Sequence, residues 1–157
     1  IIDGYNVIFA WEELKELAAA SIDGAREKLI EILNHYQGYK QVDMLVVFDG
    51  YKLVGNPGTR HDYSSLNDKA GILQVVYTKE AETADRFIEK AVYEYGEKRQ
   101  LWVVTSDQQV QMSALADGAS RYSAREFHEE VAGASEEIRK KLAMQKKEKN
   151  RPLQDVF

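Results

Sequence analysis

The sequence of 157 residues contains no cysteine, only two prolines and no long apolar run. The absence of cysteine excludes disulfides and thiolate metal sites, and it agrees with a cytoplasmic protein. No apolar stretch approaches the roughly 18 residues that a membrane-spanning helix needs, so a membrane protein is not expected. We expect no signal peptide. Because Ile1 already lies inside an apolar run and no Met precedes it, we expect the first strand to begin before Ile1.

Three motifs of nucleotide-binding and hydrolytic enzymes are also missing. There is no G-x-x-x-x-G-K-[ST], which excludes a P-loop NTPase, and no G-x-G-x-x-G after a strand, which argues against a dinucleotide site. There is no G-x-S-x-G, the nucleophile elbow of the common hydrolase triad. The chemistry of this chain must therefore rest on other residues.

Charge is unevenly distributed along the chain. The net charge is -5, with 44% hydrophobic and 30% charged residues, as in a globular protein of one domain. Residues 139–151 contain seven basic residues and one acidic residue, a net +6, which leaves -11 for the rest. We expect one domain over 1–148 and a tail over 149–157. The basic segment is either a site for a polyanion or the solvated end of a helix.

Strand-like and helix-like segments alternate, which predicts an α/β fold with a mainly parallel sheet. Buried strands are predicted at 1–3, 44–48, 72–78 and 101–105, with a weaker one near 119–122. Helical spacing of apolar residues predicts helices around 25–36 and 84–95 and a shorter one over 108–116. Thr83 and Gly96 are predicted to cap the second of these, and Ser123 with Glu126 forms a capping box for a last helix.

Residues 50–71 depart from this pattern, because they are rich in glycine, contain Pro57 and show no helical period. The segment is predicted to be a long loop, and loops of that length inside a domain are usually functional or disordered. At the start of the chain, Gly4 predicts a sharp turn after the first strand.

Acidic residues follow several of the predicted strands. Asp3, Asp49 and Asp107 each come at or just after a strand, while Glu82 and Asp85 lie where the helix after the third strand begins. In parallel α/β sheets ligands bind beyond the carboxyl ends of the strands, so these acids are predicted to share one edge. Taken singly, most have ordinary roles as turn, cap or helix-dipole residues. Asp3 is the exception, because an acid that ends a buried strand needs a partner.

Several carboxylates at one edge would repel one another unless a cation lay between them. Oxygen ligands without cysteine or paired histidine favour Mg²⁺ or Mn²⁺, and such a cation suits phosphoryl chemistry. Asn6, Thr105 and Ser106 can hold a water or a phosphate oxygen nearby, although the two hydroxyls are equally suited to capping a helix. A phospho-receiver domain phosphorylated at Asp49 is an alternative. Receivers usually carry adjacent acids after the first strand, whereas Asp3 is followed by Gly-Tyr-Asn.

Four segments together resemble the NYN domain, a branch of the PIN-like nucleases, and within it the YacP-like ribosome-associated endoribonucleases. They are DGYN at 3–6, VVFDG at 46–50, TKEAETAD at 78–85 and VVTSDQQVQ at 103–111. The resemblance covers roughly residues 1–140. It implies a three-layer α/β/α PIN-like fold with strand order near 3-2-1-4-5, in which the first and fourth strands are neighbours.

The resemblance also implies a function and a site. Asp3, Asp85 and Asp107 would bind the metal, with Asn6 and Glu82 close by and Asp49 in support. The activity would be metal-dependent cleavage of RNA, such as mRNA on the ribosome, leaving a 5′-phosphate and a 3′-hydroxyl. The alternative within the same fold is a module that binds RNA or the ribosome without cleaving it.

Contacts to RNA are predicted for basic, hydroxyl and aromatic side chains. The basic candidates for backbone phosphates are Lys52, Arg60, His61, Lys69, Lys79 and Arg86, with Ser106 as a polar contact. Tyr51, Tyr63 and Tyr77 can stack on bases, although Tyr77 lies inside a strand and is predicted to be a core residue. The basic tail would add a nonspecific attraction to RNA or to the ribosome.

Overall fold

The computed structural model describes residues 1–50, 58–64 and 72–150. The helices are α1 Gly4–Ala10, α2 Glu12–Ala20, α3 Ile22–Lys40, α4 Ala84–Tyr95, α5 Gln108–Ala116 and α6 Ala124–Lys149. The strands are β1 Ile2–Asp3, β2 Met44–Phe48, β3 Thr59–Ser64, β4 Ile72–Tyr77, β5 Trp102–Val104 and β6 Ser120–Tyr122. The predicted α/β class is confirmed, and so are the helices over 84–95 and 108–116.

The strands form one six-stranded sheet in the order β3-β4-β2-β1-β5-β6. The five strands predicted from the sequence are all parallel and lie in the predicted order, 3-2-1-4-5. The sixth, β3, is antiparallel to β4 and pairs with it along its whole length. The prediction of a loop throughout 50–71 was therefore wrong for residues 59–64. Their sequence, TRHDYS, has no apolar alternation, and the open edge of β4 supplies the hydrogen bonds that make it a strand.

Helices cover both faces of the sheet and produce three layers. Because side chains alternate along each strand, Val46 and Phe48 face one layer while Val47 faces the other. Residues of α1, α2, α3 and α6 pack against the first face, and residues of α4 and α5 pack against the second. β1 lies in the middle of the sheet, so β2 and β5 flank this short strand on its two sides.

The predicted helix caps are present. The Thr83 hydroxyl accepts a hydrogen bond from the amide of Arg86 at the start of α4, and the amide of Gly96 bonds back to Val92 at its end. Ser123 and Glu126 form the reciprocal capping box at the start of α6. These contacts satisfy terminal backbone groups and set where each helix begins relative to the sheet edge.

At Gly4 the chain passes from strand to helix with no loop between them, because helix α1 begins at this residue directly after β1. A Cβ atom at position 4 would overlap the aromatic ring of Phe48 on β2. Glycine is therefore required for close packing between α1 and the sheet.

Helix α6 continues well beyond the core. Its last buried residue is Ala134, and every residue from 139 to 150 is exposed. In the part of the chain that the structure describes, no helix has both the length and the apolar character to cross a membrane.

Candidate active site

Asp3 lies at the carboxyl end of β1 and its side chain is buried, with 8% of the residue exposed. Its Oδ2 accepts a hydrogen bond of 3.3 Å from the hydroxyl of Thr105. Burial raises the pKa of the Asp3 carboxyl from 3.8 to about 6, and the nearby charge of Asp85 adds to this, with a smaller contribution from Asp107. Hydrogen bonds from Thr105 and from the Asn6 backbone act in the opposite direction. A buried acid next to two other acids is therefore the centre of this edge.

Asp107 follows β5 and begins α5. Its Oδ1 accepts hydrogen bonds from the amides of Gln109 at 2.9 Å and Val110 at 3.2 Å, so the N-cap role considered for this residue is present. Capping uses Oδ1, and it holds the side chain at the sheet edge, near enough to influence Asp3 and Asp85. Asp107 can therefore cap α5 and still belong to the acidic cluster.

The turn between β5 and α5 is attached to its neighbours through polar side chains. The Asn6 carbonyl oxygen Oδ1 accepts a 2.9 Å hydrogen bond from the Ser106 amide, so Asn6 connects α1 to the β5 turn. The Ser106 hydroxyl accepts one from the Ala124 amide at 3.2 Å. Thr105 is fully buried, and its hydroxyl accepts from the Asp107 amide at 3.1 Å while donating to Asp3. Thr105 therefore links the carboxylate of Asp3 to the backbone of Asp107.

Asp85 lies in the first turn of α4 and is half-buried. The pKa of its carboxyl is raised, first by burial and then by the charges of Asp107, Glu89 and Asp49. Asp49 is an exposed residue just beyond β2. The structure thus brings Asp3, Asp85 and Asp107 into one electrostatic cluster, with Asp49 on the side of Asp85.

Glu82 is oriented differently from these four acids. Its carboxylate is 3.5 Å from the Nζ of Lys90 and lines a groove of about 270 Å³ at the carboxyl end of β4. The other residues around the groove are Gly58, Thr59, Arg60, Val76, Tyr77, Lys79 and Phe87. Two basic and two aromatic side chains therefore surround this open space, which Glu82 and Phe87 border from either side of Asp85 in the sequence.

The other residues that were predicted to contact RNA differ in exposure and location. Arg86 is exposed on α4 beside Asp85, and Ser106 is exposed beside Asp107. The Tyr77 ring stacks on Phe48 with centroids 5.3 Å apart and packs on the core, as predicted. His61 and Tyr63 lie on β3. Tyr51, Lys52 and Lys69 lie outside the described residues.

The donor chemistry of the cluster fits a hard divalent cation, because its ligands are carboxylates that repel one another at neutral pH. Among the described residues, no three carboxylates or histidines converge closely enough to hold a metal ion by themselves. Mg²⁺ usually takes only one or two carboxylates directly and fills its other positions with water and substrate phosphate. The arrangement therefore suits a partly hydrated ion rather than a closed protein cage.

A comparison with family models decides the classification, since the model for the YacP-like NYN domain matches residues 1–157. The chain belongs to the YacP-like NYN family. This is a PIN-like, nuclease-type domain, and membership argues against the receiver alternative.

Two kinds of relative support the family assignment. The uncharacterized protein YacP of Bacillus subtilis strain 168 is 36% identical over 143 residues, which cover 90% of this chain and 79% of that protein. A crystal structure of Rae1 (YacP) from Bacillus subtilis superposes with a TM-score of 0.73 at 36% identity, covering 94% of this chain and 81% of the other. The structure of its W164L mutant gives a TM-score of 0.75 at 34% identity, covering 94% and 82%.

Sequence reasoning missed one element of this NYN site. Thr78, directly after β4, is buried; its hydroxyl accepts from the Gly50 amide at 2.8 Å and donates to the Glu82 carbonyl at 2.7 Å. It thereby ties the ends of β2 and β4 to the turn that leads into α4 and Asp85. The available signal was a polar residue that closes the apolar run ILQVVYT, as Thr105 closes LWVV.

Proposed function

We propose that this protein is a divalent-metal-dependent endoribonuclease that hydrolyses phosphodiester bonds of RNA, with mRNA on the ribosome as its natural substrate. The observation that carries the proposal is the buried carboxyl of Asp3, electrostatically coupled to Asp85 and Asp107 from two other elements. Such a cluster raises the free energy of the ionised site, and this cost is understandable where a cation is bound. Action on ribosome-bound mRNA would take place in the cytoplasm.

In this proposal Asp3, Asp85 and Asp107 would hold a partly hydrated Mg²⁺ or Mn²⁺, in part through bound water, with Asp49 and Glu82 as outer carboxylates. The bound ion would supply charge neutralisation for the phosphate and a water of lowered pKa. Thr105 orients Asp3 through its 3.3 Å hydrogen bond, and Asn6 holds the turn that carries Asp107 through the Ser106 amide. These contacts keep the carboxylates in position before substrate arrives, which reduces the reorganisation needed for catalysis.

The groove beside α4 is the proposed path of the RNA strand. Arg60 and Lys79 would contact phosphates, and the half-buried ring of Phe87 gives an apolar surface on which a base can lie. Arg86 and Ser106 flank the acids on either side and are proposed to contact the backbone near the scissile bond. A single strand fits this role better than a duplex, because bases can stack only when they are unpaired.

The test compares wild type with Asp85→Asn and with Glu94→Gln, which removes an exposed charge from the far end of the same helix. Labelled single-stranded RNA and ribosome-bound mRNA are incubated with Mn²⁺, with Mg²⁺ or with EDTA. We expect cleavage with a divalent ion, at least 100-fold slower cleavage in Asp85→Asn and little change in Glu94→Gln. The products should carry a 5′-phosphate and a 3′-hydroxyl.

A second readout does not depend on activity. Mn²⁺ should raise the melting temperature of wild type and of Glu94→Gln, and raise it much less in Asp85→Asn, because binding to the native state stabilises it. Cleavage that persists in EDTA, or full activity in Asp85→Asn, would refute the proposed site. RNA binding without cleavage under any of these conditions would identify a binding module instead.

A further inference from the structure

The exposed second half of α6 carries a strongly basic surface that the proposed active site does not use. From residue 139 to the end of α6 there are six basic residues and a single acidic residue, Glu148. Arg139, Lys140, Lys146 and Lys147 are separated by one, six, seven or eight positions, so they lie within about 120° of the helix circumference, on one side of the helix. We call these four residues the basic face.

Lys140 and Lys147 of the basic face point away from the protein body, whereas Arg139 and Lys146 lie at the flank, about 80–100° around the helix from the buried side. The buried residues of α6 define the opposite side of the helix; they are Ala124, Phe127, Val131 and Ala134. At 100° per residue, Lys140 and Lys147 lie almost diametrically opposite this buried side. Lys141 lies on the body side, with its Nζ 5.2 Å from the ring of Tyr39 on α3. Lys149, eight residues further on, shares the side of Lys141.

Ordinary structural roles explain only part of this charge. Lysines in the last turn of a helix interact favourably with its dipole, which accounts for Lys146, Lys147 and Lys149. Arg139 and Lys140 lie more than two turns before the end, where the dipole effect has decayed. Arg139 forms an ion pair of 2.8 Å with Glu136, an exposed contact of little energetic weight. The remaining positive charge faces solvent on a protein whose other residues are strongly acidic.

The distance to the acidic cluster is large. Helix α6 begins beside the cluster, since the Ala124 amide donates to the Ser106 hydroxyl. At 1.5 Å per residue, Lys140 and Lys147 lie about 24 and 35 Å along the helix from that point. An RNA that touches the basic face therefore does so with a segment remote from the phosphodiester at Asp3, Asp85 and Asp107.

We propose that the basic face of α6 is a second RNA-binding surface, which binds the phosphate backbone of base-paired RNA away from the cleavage site. A straight helix holds its charges at fixed spacing, about 10 Å between the two basic pairs, and a base-paired RNA holds its phosphates at fixed spacing as well. An anionic membrane fits less well, because Leu142 and Met144 diverge around the helix and form no continuous apolar face. The inference deepens the proposed function by adding a docking contact for structured RNA.

The test uses two double variants that remove the same charge from the same helix. Lys140→Gln/Lys147→Gln removes the two charges of the basic face that point furthest from the body, and Lys141→Gln/Lys149→Gln removes the two charges of the body side. Glutamine keeps helix propensity close to that of lysine, and circular dichroism checks that α6 remains formed. Binding of a fluorescent RNA hairpin is measured by anisotropy in EDTA over a range of salt concentrations, so that no cleavage is required.

The basic-face variant should bind the hairpin about tenfold more weakly, with the slope of log K against log salt reduced by roughly 1.5. The body-side variant should change affinity less than threefold. Equal losses in the two variants, or no loss in either, would overturn the proposal. So would a polyglutamate peptide or anionic vesicles that bind the basic face as tightly as the hairpin does.

This experiment also separates the inference from the proposed activity. Both variants should cleave a short single-stranded RNA at the wild-type rate, because neither changes the acidic cluster. If wild type cleaves no RNA but the basic-face variant alone loses hairpin affinity, the endoribonuclease proposal fails while the second RNA surface stands. If wild type cleaves RNA but the basic-face variant keeps its hairpin affinity, the endoribonuclease proposal stands and the second RNA surface is refuted.

Discussion

Replacing Asp3 with asparagine should make the protein more stable at neutral pH. The carboxyl is buried and its pKa is raised to about 6, whereas the same group in the unfolded chain titrates near 3.8. A native pKa above the unfolded value means that ionisation opposes folding, so the free energy of unfolding falls as pH rises through this interval. The difference corresponds to about 3 kcal/mol once both states are fully ionised.

The asparagine side chain has nearly the shape of the protonated acid, and its oxygen can still accept from the Thr105 hydroxyl. Its amide group needs partners of its own, and leaving a donor unsatisfied costs about 1–3 kcal/mol. The difference in unfolding free energy between Asp3→Asn and wild type is therefore measured at two pH values. The cost of the unsatisfied donor is the same at both and cancels when the two differences are subtracted. Between pH 4.5 and pH 7.5 the stability of Asp3→Asn relative to wild type should rise by about 2 kcal/mol.

Urea denaturation at the two pH values measures this double difference, with EDTA present to remove metal ions. Asp107→Asn is the matched control, because it removes a charge from the same edge while asparagine remains an equally good N-cap. Its relative stability should change less with pH than that of Asp3→Asn, because the charge of Asp107 makes only a small contribution to the raised pKa of Asp3. If the stability of Asp3→Asn relative to wild type is the same at both pH values, the argument that ionisation of Asp3 destabilises the folded protein is refuted. Adding Mn²⁺ at pH 7.5 should stabilise wild type and leave Asp3→Asn nearly unchanged.

Two further predictions concern packing and capping. Gly4→Ala should lower the free energy of unfolding by about 1–3 kcal/mol, because its Cβ would overlap the Phe48 ring, whereas Gly133→Ala, with no atom close to the new Cβ, should raise it by about 0.5–1 kcal/mol. Denaturant melts measure both, and an unaffected Gly4→Ala would contradict the packing argument. Ser123→Ala breaks the capping box of α6 and should cost about 1 kcal/mol. Ser135→Ala changes an exposed serine inside the same helix and should instead raise stability by up to about 0.5 kcal/mol, so equal effects of the two substitutions would show that the cap contributes nothing.

Much of the fold was predictable because its signals are local. Buried parallel strands such as MLVVF and LWVVT are continuous apolar runs, and the helices between them show apolar residues at helical spacing. Thr83 and the pair Ser123 and Glu126 mark where α4 and α6 begin, since capping depends on residues at most three positions apart. β3 could not be predicted in this way, because its hydrogen bonds come from β4 rather than from a pattern of its own.

The candidate site, like the fold, was only partly predictable from the sequence. The sequence by itself determined which residues stand at the strand ends, and therefore that Asp3, Asp49 and Asp107 would reach one edge of a parallel sheet. Only the tertiary structure decided how they differ. Asp3 is enclosed between two strands and Asp49 is exposed, while Glu82 turns toward Lys90 and the groove. Burial and charge coupling depend on residues distant in the chain, such as Thr105 beside Asp3, and no local pattern encodes that distance.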